Sequence, residues 1–157
     1  MIAPSFYMRG HFFLDFVFLS DSFYEAYSNC PEIECKRDRP YVRVCVRING
    51  VLFAVPFRSH INHKYVLWTD EENHCGLDFS KAVVIASEKF IDRSREPHIR
   101  PNEFDSLRGK EQLIAQRMRQ YIRAYKKARV RMDVPRNRIV CQYSTLQYFE
   151  SYLGRLK

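Results

Sequence analysis

The chain has 157 residues, 46 % hydrophobic and 28 % charged, which is the balance of an ordinary globular domain and excludes a disordered or fibrous chain. Lys and Arg (26) outnumber Asp and Glu (18), giving a net charge of +8 and favouring a polyanionic partner over an acidic or neutral one. No apolar run is long enough to cross a bilayer, so the expectation is one domain over residues 1–157, cytoplasmic, with nucleic acid rather than membrane as its partner.

The apolar stretch 12–19 is interrupted by Asp15 and followed by no small-residue cleavage site. Phe12, Phe13, Phe16, Val17 and Leu19 recur at helical spacing, which predicts a short helix starting near residue 10 and a further turn or two over residues 22–28. Cys30, Cys35, Cys45, Cys75 and Cys141 form no CxxC pair and are odd in number, so a reducing compartment fits better than a disulfide framework. His60, His63, His74 and Cys75 match no zinc spacing, and neither a metal nor another cofactor is expected.

Residues 40–57 read as a β-hairpin. Asn49-Gly50 suits a two-residue type I′ turn, whose central residues both need positive φ. That turn pairs Ile48 with Val51, Val46 with Phe53, Val44 with Val55 and Val42 with Phe57, each apolar on both sides. The opposite face pairs Arg47 with Leu52, Cys45 with Ala54 and Arg43 with Pro56. Further strands are predicted over residues 64–69 and 82–87, with residues 75–80 as the turn into the second. The polar stretch 92–101, with its prolines, reads as a loop before a helical second part. One long helix is predicted over residues 103–129, capped by Asn102, with Leu107, Ile114, Met118, Tyr121 or Ile122, and Tyr125 as its stripe. A last helix is predicted to start at Ser144, with Gln147 completing a capping box and Leu146, Phe149, Tyr152 and Leu153 on its apolar face.

Extending the hairpin register sets Tyr41 against Arg58, Pro40 against Ser59 and Arg39 against His60. Guanidinium, hydroxyl and imidazole groups together suit metal-free RNA cleavage, in which the ribose 2′-OH attacks the neighbouring phosphate. His moves protons near neutral pH, and Arg presents a fork to phosphate oxygens. Solvated strand-end charges are the plain structural reading of the same residues. A second constellation is basic: between residues 108 and 138 many Lys and Arg face only Glu111 and Asp133 in sequence. Arg119, Arg123, Lys126 and Lys127 fall on one side of the predicted helix, which suits phosphate binding. Aromatics reach 15 %, with Tyr at 10 and Phe at 12. Most such rings belong in a core, and some Tyr are available to stack on bases.

Arg39-Pro40-Tyr41, the Asn49-Gly50 hairpin, Val55-Pro56-Phe57-Arg58-Ser59-His60 and Cys75-Gly76-Leu77-Asp78-Phe79-Ser80-Lys81-Ala82-Val83-Val84-Ile85 resemble the type III toxin–antitoxin endoribonucleases. This is the ToxN/AbiQ/CptN/TenpN group, with TenpN-like members nearest. The resemblance covers roughly residues 36–88, extends to Phe6-Tyr7 and Phe12-Phe13, and in the helical part matches only the order of elements. It implies an α+β domain with a strongly twisted antiparallel sheet, partly barrel-like and surrounded by helices. It implies metal-independent endoribonuclease activity that leaves 2′,3′-cyclic phosphate ends. It also implies inhibition by antitoxin RNA pseudoknots in an RNA–protein oligomeric assembly, no protein antitoxin, and a role in phage defence by abortive infection.

Carried over residue by residue, the family's first active-site Lys falls on Arg39, its Thr on Arg58 and its Ser on Ser59. Its second Lys falls on Ile61, so His60, His63 or Lys64 would supply that role. Lys81 matches a family position and is a candidate phosphate ligand, as is Lys64. The rival readings are an RNA-binding protein without cleavage, and a DNA-binding or MazF-like toxin with a protein antitoxin.

Overall fold

The computed structural model describes residues 6–9, 12–33, 41–154 and 156. The chain enters through β1 (Phe6–Arg9) and β2 (Phe12–Leu19), which pair antiparallel. The helix expected near residue 10 is therefore a strand. An aromatic, almost continuously apolar run satisfies both periodicities, and pairing with neighbours on both sides decides the outcome. Helix α1 (Asp21–Ala26) follows, as expected, with Ser20 Oγ accepting the Phe23 N–H at 3.4 Å as its N-cap.

The hairpin of β3 (Arg43–Ile48) and β4 (Val51–Arg58) has the register set by its turn, from Ile48–Val51 through Val46–Phe53 to Arg43–Pro56. Asn49 (φ 47°) and Gly50 (φ 82°) both lie in the left-handed region that a type I′ turn demands. Next come β5 (Val66–Asp70) and β6 (Cys75–Asp78), an antiparallel pair. Residues 75–78 are thus a strand rather than a turn. A 3₁₀ turn, Phe79–Lys81, leads to β7 (Val83–Val84), which lies against β4 and is shorter than expected. The short β8 (Ile91–Asp92) closes back on β2.

The sheet runs β1-β2-β3-β4-β6-β5, with β7 and β8 as side pairings on β4 and β2. Its outer strands do not pair with each other among the described residues, so the expected partial barrel is an open sheet. The architecture is α+β, as expected.

The helical part begins with α2 (Pro101–Leu107) and α3 (Glu111–Arg129). The single helix expected over 103–129 is broken at Gly109, whose φ of 73° cannot continue a right-handed helix. Ile114, Met118, Tyr121, Ile122 and Tyr125 form the buried face of α3. Helix α4 (Pro135–Tyr143), absent from the sequence reading, opens on a proline whose missing N–H would have no partner in a first turn anyway. A 3₁₀ turn, Thr145–Tyr148, and α5 (Glu150–Leu153) replace the single last helix. Ser144 does cap, accepting from Leu146 N–H at 3.1 Å, but Gln147 is no capping-box partner. Its Nε2 donates instead to the Gln142 and Ser144 carbonyls at 2.8 and 2.9 Å. One buried cluster runs from Leu14 through the sheet to Leu156, so the described residues form a single domain. Tyr121 and Tyr125 belong to that core. Their hydroxyls donate to Ser144 Oγ and Glu150 Oε1, each at 2.6 Å.

Candidate active site at the end of the fourth strand

β4 changes partners near its end. Its ladder to β3 finishes at Arg43–Pro56, with one further bond from Phe57 N–H to the Val42 carbonyl at 3.0 Å. Phe57 and Arg58 then pair with Leu77 and Gly76 of β6. Gly76 is needed for the close approach of β5 and β6, since a Cβ there would collide with the Leu67 carbonyl. Ser59 and His60 do not continue the strand, and Pro40, expected opposite Ser59, lies outside the described residues. β4 ends at Arg58, and His60 turns away with φ 57°. Arg39 lies outside the described residues.

Arg58 is anchored rather than splayed. Its Nη1 donates to Asp78 Oδ2 at 2.7 Å, and Asp78 is completely buried. Asp78 also caps the 3₁₀ turn that follows: Oδ1 accepts from Ser80 N–H at 3.0 Å and from Ser80 Oγ at 2.6 Å. His63 Nε2 stands 3.1 Å from the same oxygen and 3.2 Å from Ser80 Oγ. On the other side of the ring, Nδ1 accepts the Tyr65 backbone N–H at 3.1 Å. Nδ1 therefore carries a lone pair, and the ring proton on Nε2 faces the carboxylate. Burial alone pushes the Asp78 carboxyl up. Hydrogen bonds from His63, Ser80 and Arg58 outweigh it and hold the group below the ordinary carboxylate range.

Ser59 and His60 follow Arg58 on the exposed turn after β4, with Ser59 Oγ 3.1 Å from His60 Nδ1. His60 Nε2 has no hydrogen-bond partner among the described residues. The turn is tethered one residue later. Ile61 N–H donates to the His74 carbonyl at 3.1 Å, and His74 Nδ1 lies 3.2 Å from the Ile61 carbonyl. Ile61 is buried and serves as an apolar anchor for the turn.

The other candidate residues divide. Lys81 is engaged within the protein: Nζ donates to Glu32 Oε2 and to the Tyr143 carbonyl, both at 2.8 Å. Lys64 is exposed, its Nζ 5.4 Å from the Tyr65 ring centre. Arg119, Arg123 and Lys127 are exposed on α3, Arg119 at the rim of the hollow between helix and sheet, and have no ion pair among the described residues. Lys126 is half-buried and bonds the Leu156 carbonyl, so it does not belong to the free strip. Two further cations have acidic partners, Arg129 through a tertiary contact and Arg108 through a local i,i+3 pair. Arg129 pairs with Glu150 at 3.0 Å and Arg108 with Asp105 at 3.2 Å.

A cleft of about 520 Å³ opens from this cluster toward α4 and is lined by Arg58, Asn62, His63, Ser80, Ile139 and Tyr143, among others. A larger hollow, about 920 Å³, lies between the sheet and the start of α3. It holds Asp15, raised by burial despite its pairing with Arg93, and Cys45, whose thiol is pushed up to about 12 by burial. That thiol stays protonated and is a poor nucleophile. Among the described residues no group of three or more His, Cys, Asp or Glu is placed to hold a metal ion.

Sequence reasoning missed Asp78, Ser80 and the role of His63. The available signal was Asp78-Phe79-Ser80, an acid two residues before a serine, which is the spacing of a capped turn. No known family, characterised protein or solved structure matches the chain.

Proposed function

We propose that this protein is a metal-independent endoribonuclease, a toxin of the type III toxin–antitoxin kind, held in check by a structured antitoxin RNA. The observation that carries this reading is the Ser59–His60 pair, exposed and tethered, next to an Arg58 held on buried Asp78. In this scheme the ribose 2′ oxygen bonds to phosphorus while His60 Nε2 takes its proton. The bond to the 5′ oxygen breaks, and that oxygen leaves with a proton from solvent, giving a 2′,3′-cyclic phosphate. Ser59 orients the His60 ring through Nδ1, and Arg58 offsets charge on the phosphate. Arg39 takes the place of the family's first Lys and Lys64 meets the RNA, while Lys81 stays engaged with Glu32 and the Tyr143 carbonyl. Arg119, Arg123 and Lys127, with Lys126 at their margin, supply the surface on which the antitoxin lies in an RNA–protein assembly. Substrate RNA of host or phage, a cytoplasmic location and a role in phage defence belong to the same proposal.

The test is incubation of purified protein with RNA in excess EDTA, followed by analysis of the ends. Cyclic phosphate ends are expected, and His60→Ala or Ser59→Ala should lower the rate by about 10²–10³, the cost of losing one group acting in the transition state. Dependence on added metal, or 3′-OH ends, refutes the scheme. RNA binding without cleavage is the second reading. The unpaired strip on α3 favours it, because that strip needs no active site. RNA that is bound and never cut would establish it.

A further inference from the structure

We propose that the cleft between the end of β4 and α4 is a nucleobase pocket for one nucleotide of single-stranded RNA, with Tyr143 as its stacking face and Asn62 reading the base edge. This rests on the RNA-cleaving reading above. Along α4, Ile139 and Tyr143 stand four residues apart and so share a face, while Cys141 points into the core. Ile139 is 56 % exposed and Tyr143 55 %. Among the described residues the other large exposed hydrophobic is Val130, at 78 %. An exposed apolar side chain standing alone needs no explanation. Here two share one helix face and line one cleft, opposite the Arg58–His63 cluster.

The Tyr143 backbone is held, because its carbonyl accepts from Lys81 Nζ, and Lys81 is itself fixed on Glu32. The ring thus hangs from an anchored stretch of backbone with about half of its surface open to solvent. Asn62 is exposed where it lines the same cleft, and its carboxamide has no partner among the described residues. Both a donor and an acceptor are left open, the complement of a base edge that presents an acceptor beside a donor. The cleft volume lies within the roughly 300–1,000 Å³ of small-ligand sites. An aromatic platform beside an open amide is a recognition set for an unstacked base in single-stranded RNA. An apolar peptide side chain would use the wall and leave the amide unmatched. The net charge of +8 likewise favours a phosphate-bearing ligand.

Pentanucleotides with 2′-O-methyl riboses cannot be cut by 2′-OH attack, so their binding reads the pocket apart from catalysis. Fluorescence anisotropy should show that Tyr143→Ala weakens single-stranded binding about tenfold, within the range for one stacked base. Tyr143→Phe should stay near the wild type, and Asn62→Ala should flatten the ranking among homopolymers. Affinity for a duplex of the same sequence should not change. Thermal unfolding checks that each variant is folded. If the folded Tyr143→Ala binds single strands as the wild type does, the pocket is refuted, while RNA cleavage by the wild type would leave the catalytic proposal standing. If the wild type binds no single-stranded RNA, both fall together.

Discussion

Replacing Asp78 by Asn keeps the shape of the side chain and removes the charge on which Arg58 and His63 converge. The new amide nitrogen must face one of the donors that the carboxylate accepted, most damagingly Arg58 Nη1 at 2.7 Å or His63 Nε2 at 3.1 Å. Removing one partner of a buried ion pair costs about 3–5 kcal/mol. Arg58 keeps 22 % exposure and can recover some hydration, which places the expected loss near the low end, about 3 kcal/mol. For a chain of this size, that corresponds to about 6–12 °C in Tm. The sign with pH is fixed by the depressed carboxyl. Its stabilisation is fully present above the unfolded carboxyl value, near pH 3.9, and is lost as pH falls through the lower folded value. Wild type and Asp78→Asn should therefore differ most at neutral pH and converge in acid. Urea unfolding of both proteins from neutral pH down to about pH 3 measures this. A neutral-pH difference under about 1 kcal/mol, or a gap that stays constant into acid, refutes the view that Asp78 organises the site electrostatically.

Two further outcomes follow from positions described above. Changing Arg119, Arg123 and Lys127 together to Gln should lower the slope of log affinity for RNA against log salt by about 2, since each lost phosphate contact removes about 0.7–0.9. Lys126→Gln alone should change the slope far less, and equal effects from the two variants would show that the strip is not the contact surface. Gly76→Ala places a methyl group against the Leu67 carbonyl, a backbone atom that cannot swing aside. It should cost at least about 3 kcal/mol, the upper range for overpacking. A loss below about 0.5 kcal/mol, measured by denaturation, would mean that β5 and β6 can part there without consequence.

The parts of the fold legible in sequence are those where independent local signals agree. Asn49-Gly50 fixes the turn, and apolar pairs on one face then fix the register from Ile48–Val51 to Arg43–Pro56. The buried stripe of α3 was equally plain, because Ile114, Met118, Tyr121, Ile122 and Tyr125 repeat over several turns. Residues 12–19 misled because aromatics in a continuous run fit either period, and only the neighbouring strands choose between them. Gly109 was visible as a weak helix position, but its positive φ depends on how α2 and α3 pack. Of the candidate site, the Ser59–His60 adjacency came directly from sequence. The anchoring of Arg58 did not, because Asp78 reaches it only through the pairing of β4 with β6, twenty residues apart in sequence.

The change of partner at Phe57–Arg58 also bears on when the site comes into being. The β3–β4 and β5–β6 hairpins are each local, and hairpins of this kind form in about 1–10 μs. The Arg58–Asp78 link belongs to neither and exists only after the two have docked. A chain still emerging during synthesis, or one opened locally at that seam, holds all the chemical groups of the site without their arrangement. Potency should then follow the population of the docked state. If the proposed RNA cleavage is the protein's activity, variants that loosen the seam between β4 and β6 should lose it before they unfold.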